Sequence, residues 1–218
     1  MRRLIALAVV GVVLAVLIVA QLVLPGLAAS RLRDQLARSG TVLSVQVSAF
    51  PAIKLLWHHA DKVVIRMGRY QSGASDLGNR LSDAAGVGTI DASVQELDSG
   101  ALTLRNATLH KRGSELVGAA TIIQSDLRAA VPFLQHVQPV ASSGGQLILR
   151  GTASLLGLTA SVDAVVAARN GTLVVAPDVP FGGIATITLF DNPHVHVQSV
   201  SASTVPGGFQ LDAQAKLQ

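Results

Sequence analysis

"TVLSVQVSAFPAIKLLWHHADKVVIRMGRY", residues 41–70, is where the fold declares itself. Leu43, Val45, Val47 and Ala49 fall on alternate positions, and so do Val63, Ile65 and Met67 after the break. Alternation of period two puts such residues on one face of a strand, so two half-buried strands are expected here. "FPAIKLLWHH" between them has no such period and is expected to be a short helical or irregular connection. It carries Phe50, Pro51, Leu55, Leu56 and the only Trp of the chain, Trp57, beside Lys54, His58 and His59; Lys62 and Arg66 follow in the next strand. Two readings of this cluster stand. In one it is a hairpin corner, with Phe50 and Trp57 plugging the end of a core, since Trp is usually well buried. In the other the rings sit at headgroup depth in a membrane and the cations meet lipid phosphates.

Upstream, "MRRLIALAVVGVVLAVLIVAQLVL" runs apolar from Leu4 to Leu24, broken only by Gly11 and Gln21. As a helix this run would span ~30 Å, the hydrocarbon thickness of a bilayer. Arg2 and Arg3 place the N-terminus in the cytoplasm by the positive-inside rule, with residues after about 26 outside. Residues 1–25 are therefore expected to be a transmembrane anchor, and 26–218 an extracytoplasmic domain. Gly26-Leu27-Ala28 leaves the alternative of a cleaved signal segment and a secreted product. "GLAASRLRDQLARSG" then has Leu32 and Leu36 four apart and Gly40 as a stop, which reads as a short amphipathic helix.

Downstream, residues 71–86 suit a helix or a loop. Strand patterns resume in "GTIDASVQEL", "GALTLRNATLH" and "SELVGAATIIQ". Ser125 then looks like the N-cap of a helix through Leu127, Ala130, Val131, Leu134 and Val137, with Pro132 kinking it. The rest is strand and turn, punctuated at Asn170-Gly171 and Pro206-Gly207-Gly208. About ten strands with two helices, and no strict strand-helix alternation, imply an α+β protein with a long antiparallel sheet and helices on one face. Alternation at Leu102 and Leu104, at Leu147 and Leu149, and at Leu173 and Val175 is expected to line one continuous concave face, the first four as acyl-chain contacts.

The absence of cysteine excludes a disulfide scaffold, a thiol nucleophile, a thiolate metal site and a lipoprotein anchor. The roughly 190 residues outside the membrane are enough to close a core by burial alone. The net charge of +4 falls to +2 without Arg2 and Arg3, and aromatics make up 3% of the chain, so neither a basic surface nor stacking platforms for nucleic acid are on offer. No nucleophile elbow, metalloprotease helix or phosphate loop occurs, so no catalytic residue, cofactor or enzymatic activity is expected. His194 and His196 lie two apart on a strand pattern, yet no third ligand stands at a signature spacing, and no metal site is assigned. Asn106-Ala-Thr and Asn170-Gly-Thr match the glycosylation sequon, which acts only on a eukaryotic secretory route.

"VLPGLAASRLRDQL" (23–36), "VSAFPAIKLLWHHADKVVIRM" (47–67) and "VHVQSVSASTVPGGFQLDAQAKL" (195–217) together resemble the LmeA-like family of envelope phospholipid-binding proteins. The shared habits are the strand ending in Phe50-Pro51, the Asp61-Lys62-Val63-Val64 strand, and the glycine turn between Val205 and Phe209. His58-His59-Ala60 stands where the family pattern has a glycine. The resemblance implies an extracytoplasmic protein that binds membrane phospholipid, with a curved sheet wrapped around one or two helices, similar to tubular lipid-binding folds. It also implies a role in envelope lipid or lipoglycan assembly and supplies no catalytic residue. An anionic phospholipid at the plasma membrane is the expected partner. A structural or interaction domain with a filled core is the alternative.

Overall fold

The two alternating stretches pair as read, except at Leu43: register shifts between Gly40 and Ser44 leave it 51% exposed and pack Val42 inward instead. Strand β1 (Gly40–Ser48) runs antiparallel to β2 (Ala60–Gln71), with Val47 opposite Val63 and Val45 opposite Ile65. They belong to a computed structural model that describes residues 21, 23–57, 59–99, 102–126, 135–143, 146–155, 158–178 and 186–218. Helix α1 precedes β1 and covers 23–37, ending where the Ser39 amide donates to the Leu36 carbonyl. After β2 the chain crosses through helix α2 (Ala74–Asp83) into β3 (Val87–Asp98), which lies parallel to β2.

β4 (Thr103–Arg112) and β5 (Glu115–Ile123) continue the sheet as a hairpin, and β12 (Gly208–Leu217) and β11 (Val195–Val205) complete it in the order β1-β2-β3-β4-β5-β12-β11. A second sheet has the order β10-β9-β8-β7-β6. Its strands are β6 (Gln135–Ser143), β7 (Gln146–Leu155), β8 (Leu158–Arg169), β9 (Thr172–Pro177) and β10 (Ile187–Phe190). The expected α+β protein with one long antiparallel sheet is thus corrected to a mostly β protein with two open, curved sheets: strands hold 65% of the described residues.

Two further expectations change. The antiparallel rule breaks at β2–β3, because 72–86 serves as a crossover and returns the chain to the starting end of β2. The helix read through Val137 gives way by Gln135, where β6 begins; residues 127–134 lie outside the described residues. Pro139 cannot donate to a ladder, and it occupies β6 at the margin of its sheet, where that loss is tolerated. Pairing with β7 outweighs the local helical spacing.

Curvature has a visible source. Arg105 pairs with Thr121 and Thr108 with Ala119, so two residues of β4 oppose one of β5, and Asn106 there adopts φ 49°. Such a bulge bends its strand and increases the local twist. A second joint holds the sheets together. Asn170 and Gly171 (φ 52° and 84°) make the tight β8–β9 turn, and the Gly171 carbonyl accepts the Val197 amide of β11 at 2.9 Å. The His196 ring sits so close to Gly171 that a Cβ there would stand 2.4 Å from Nδ1.

Apolar side chains gather in three clusters. Between the sheets lie Ile122, Leu147, Leu149, Ala164, Val166, Val175, Val200 and Phe209. Under α1 lie Leu36, Met67, Tyr70, Leu97, Ala107 and Ala120. At the starting end of β2 and β3 lie Ala60, Val63 and Ile90, with Val47 and Leu55 against them.

Candidate functional site

The β1–β2 connection folds as a 3₁₀ turn over Ala52–Trp57. It is preceded by a cis Phe50–Pro51 peptide. Ala52 is buried beneath it, whereas Phe50 is 75% exposed and Trp57 64%, the two most exposed large apolar side chains among the described residues. The reading of these rings as plugs of a core is therefore set aside. Pro51 is exposed as well, and Leu55 turns inward onto the Ala60, Val63 and Ile90 cluster. Leu56 lies in the same turn, its side chain outside what is described; His58 also lies outside the described residues.

Polar groups brace this end. The Asp61 carboxylate accepts the Phe50 amide through Oδ2 and meets Lys54 Nζ at 3.4 Å through Oδ1. The Phe50 amide, with Lys54, holds Asp61 below the usual carboxylate range against a smaller opposing effect of desolvation. Lys62 Nζ pairs with Asp91 at 2.8 Å, and His110 Nδ1 approaches the other oxygen of Asp91 at 2.9 Å. Lys62 and His110 together hold Asp91 low. His59 Nδ1 donates to the Trp57 carbonyl at 2.7 Å. Arg66 is not part of this group: it is exposed six residues along β2 from Ala60, about 20 Å away at ~3.3 Å per residue.

Gln21, the polar break in the N-terminal apolar run, reaches the same place. Its Oε1 accepts the Ala52 amide at 3.0 Å. The end of that run is thereby tied to the Phe50–Trp57 turn.

Leu102, Leu104 and Leu173 pack half-buried against the cluster that holds Leu147, Leu149 and the fully buried Val175, so the structure brings these six together. Leu147 is 3% exposed and Leu149 1%, closed between the sheets. This group stands apart from the 3₁₀ turn, but an apolar path joins them. Leu32 and Ile65 border both the end cluster and the α1 cluster, and Leu104 borders both the α1 cluster and the inter-sheet cluster.

Sequence reasoning missed Lys111. It is fully buried on β4, its ammonium donating to the Val87 carbonyl and, at 3.5 Å, to that of Ala85. Burial pushes its pKa below the ordinary lysine value. The signal was present in the alternation, because Lys111 shares a strand face with Ala107 and Leu109. His194 lies in the turn before β11 and His196 on the strand, both exposed. Among the described residues, no three metal-ligating side chains gather. No helix among them is long and apolar enough to cross a membrane; most of the expected anchor, residues 1–20 and 22, lies outside them.

The curved sheets, the apolar path and the exposed turn all fit a protein that handles lipid, and the family comparison agrees. Residues 16–214 match the family model described as LmeA-like phospholipid-binding. The chain belongs to that family. The match spans nearly the whole domain, including α1, the exposed turn and most of β12. The family's description is one of binding and names no reaction. No curated protein and no solved structure matches the chain.

Proposed function

We propose that this LmeA-like protein binds a phospholipid at the outer face of the plasma membrane and carries or presents it for envelope lipid or lipoglycan assembly. One observation carries the reading: the apolar path from the exposed turn, under α1, to the space between the sheets. An acyl chain would follow it past Leu55, Leu104 and Leu102 toward Leu147 and Leu149, the two curved sheets and α1 forming a tube around the lipid. Burying a sixteen-carbon chain from water is worth about 13 kcal/mol at ~0.8 kcal/mol per methylene, and almost nothing when it comes from a bilayer. Lipid would therefore pass in and out cheaply beside a membrane. Residues 1–25 would keep the domain there as an anchor, with residues after about 26 extracytoplasmic; N-terminal sequencing of the membrane fraction tests this, since a mature start near Ala29 would mean a cleaved signal.

Headgroup choice falls to the cations of this end. Lys54 and Lys62 would exchange Asp61 and Asp91 for the phosphate of an anionic lipid, with Arg66 farther along β2 available to a larger headgroup. A second reading draws on the near-complete burial of Leu147 and Leu149: a structural domain with a filled core and no ligand. Native mass spectrometry of the full chain released from detergent separates the two. Bound phospholipid in wild type, lost in a folded Leu104→Trp variant, supports binding. A lipid-free mass in both supports the structural domain.

A further inference from the structure

We infer that the β1–β2 turn is a membrane-docking wedge, with Phe50 and Trp57 entering the interfacial layer of the bilayer beside the N-terminal segment. Three observations converge on this end of the molecule. Among the described residues, Phe50 and Trp57 stand 75% and 64% exposed, although the same turn buries Ala52 to 1% exposure. The chain outside the structure leaves from this point, since Gln21 is bonded to the Ala52 amide and the apolar run from Leu4 to Ala20 precedes it. Val23 and Leu27, on the first turns of α1, are also about half exposed, at 48% and 52%.

The partner that suits this surface is a lipid bilayer rather than another protein, because the run preceding Gln21 is long enough to enter one. Aromatic rings at headgroup depth are where Trp is favoured in membranes. The charges behind the wedge are already balanced: Lys54 by Asp61, and Lys62 by Asp91. Docking therefore rests on apolar insertion, and the lysines act on lipid choice at close range. The wedge is independent of whether an acyl chain enters the fold.

Trp57 is the only Trp, so it reports on its own surroundings without any substitution. The experiment reconstitutes the full chain in phosphatidylcholine vesicles containing brominated phosphatidylcholine, with the bromines either near the headgroup or near the bilayer centre. Expected is strong quenching by the shallow bromines, weak quenching by the deep ones, and no change at about 1 M salt, where screening reaches ~3 Å. Gln21→Ala should remove most of the quenching while the amount of co-purifying phospholipid stays the same. Free quenching by aqueous iodide with none by bromine overturns the wedge, even if phospholipid still co-purifies. Quenching that vanishes at high salt overturns apolar insertion in favour of electrostatic adhesion. Quenching that persists after the vesicles are removed, when only brominated lipid carried by the protein remains, also overturns it, as the signal then comes from a bound lipid. Shallow quenching in a protein that carries no lipid keeps the wedge and removes the binding proposal.

Discussion

Leu149→Ala measures how firmly the two sheets close on each other. Leu149 is 1% exposed, paired with Ala164 on β8 and Pro139 on β6, and surrounded by Ile122 and Phe209 from the opposite sheet. Leu→Ala substitutions in cores cost about 2–5 kcal/mol, and the cost rises with the cavity that the neighbours fail to fill. Here Ala164, Val175 and Ile122 are each 0% exposed, the first two held in strand ladders from both sides and Ile122 paired with Phe209, so little collapse is available. The upper half of the range is expected, about 3–5 kcal/mol. For a domain of this size, ~2–4 °C per kcal/mol translates this to a fall in Tm on the order of 10 °C. The same change at half-buried Leu104 should cost less than half as much. The assay is loss of β-sheet circular dichroism on heating the full chain in detergent, with denaturant titration alongside. A loss under about 1 kcal/mol at Leu149 would refute the packing argument, because only a loosely filled space between the sheets tolerates that deletion.

Acid should weaken the fold from the carboxylate range downward. Asp61, Asp91 and Asp163 are all held low, by the Phe50 amide, by Lys62 with His110, and by Arg150, respectively. Depressed carboxylates contribute stability above the ordinary range and lose it as pH falls through their folded values, so Asp163→Asn should flatten part of that acid limb. Stability that grows on acidification would contradict this. Lys111 works in the opposite direction: burial lowers its pKa, so its penalty is full below that value and is relieved as pH climbs toward 10.5. Wild type should gain stability across that alkaline window and Lys111→Met should not; identical profiles would show that the ammonium is solvated. Gly208→Ala places a methyl 2.3 Å from the Ile122 carbonyl oxygen. It should cost about 1–3 kcal/mol and raise amide exchange along β12, and an unchanged denaturation midpoint would count against the described register.

Local pattern carried the reading of the sequence as far as local forces reach. Alternation at Val45, Val47, Val63 and Ile65 was enough for β1 and β2, because one buried face fixes a strand's register. Leu32, Leu36 and Gly40 sufficed for α1. The parallel β2–β3 pair was not legible, since nothing near residue 60 records that Val87 will return beside it. Nor was the state of the lysines: Lys62 reads as a free cation until pairing of Val64 with Asp91 delivers a carboxylate from the next strand. Exposure of Trp57 was equally hidden, as ring burial depends on what else the fold brings to that end. Helical spacing through Val137 misled because β7 offered a ladder that the window could not contain.

Strand β12 comes after every other strand in the chain and yet lies inside its sheet, hydrogen-bonded to β5 on one side and β11 on the other. Its register pairs Lys216 with Glu115 and Gly208 with Ile123, contacts between very distant parts of the chain. Non-local pairings of this kind slow folding, because the loop must close before the ladder rewards it. The β1–β5 half can assemble early, but β11 can join it only through β12. A chain emerging during synthesis therefore keeps an unfinished sheet until its last strand arrives, with the β5 margin bare in the meantime. The order of synthesis makes β12 the strand that completes the sheet: until it docks, the β5 edge presents unpaired backbone groups to any other strand.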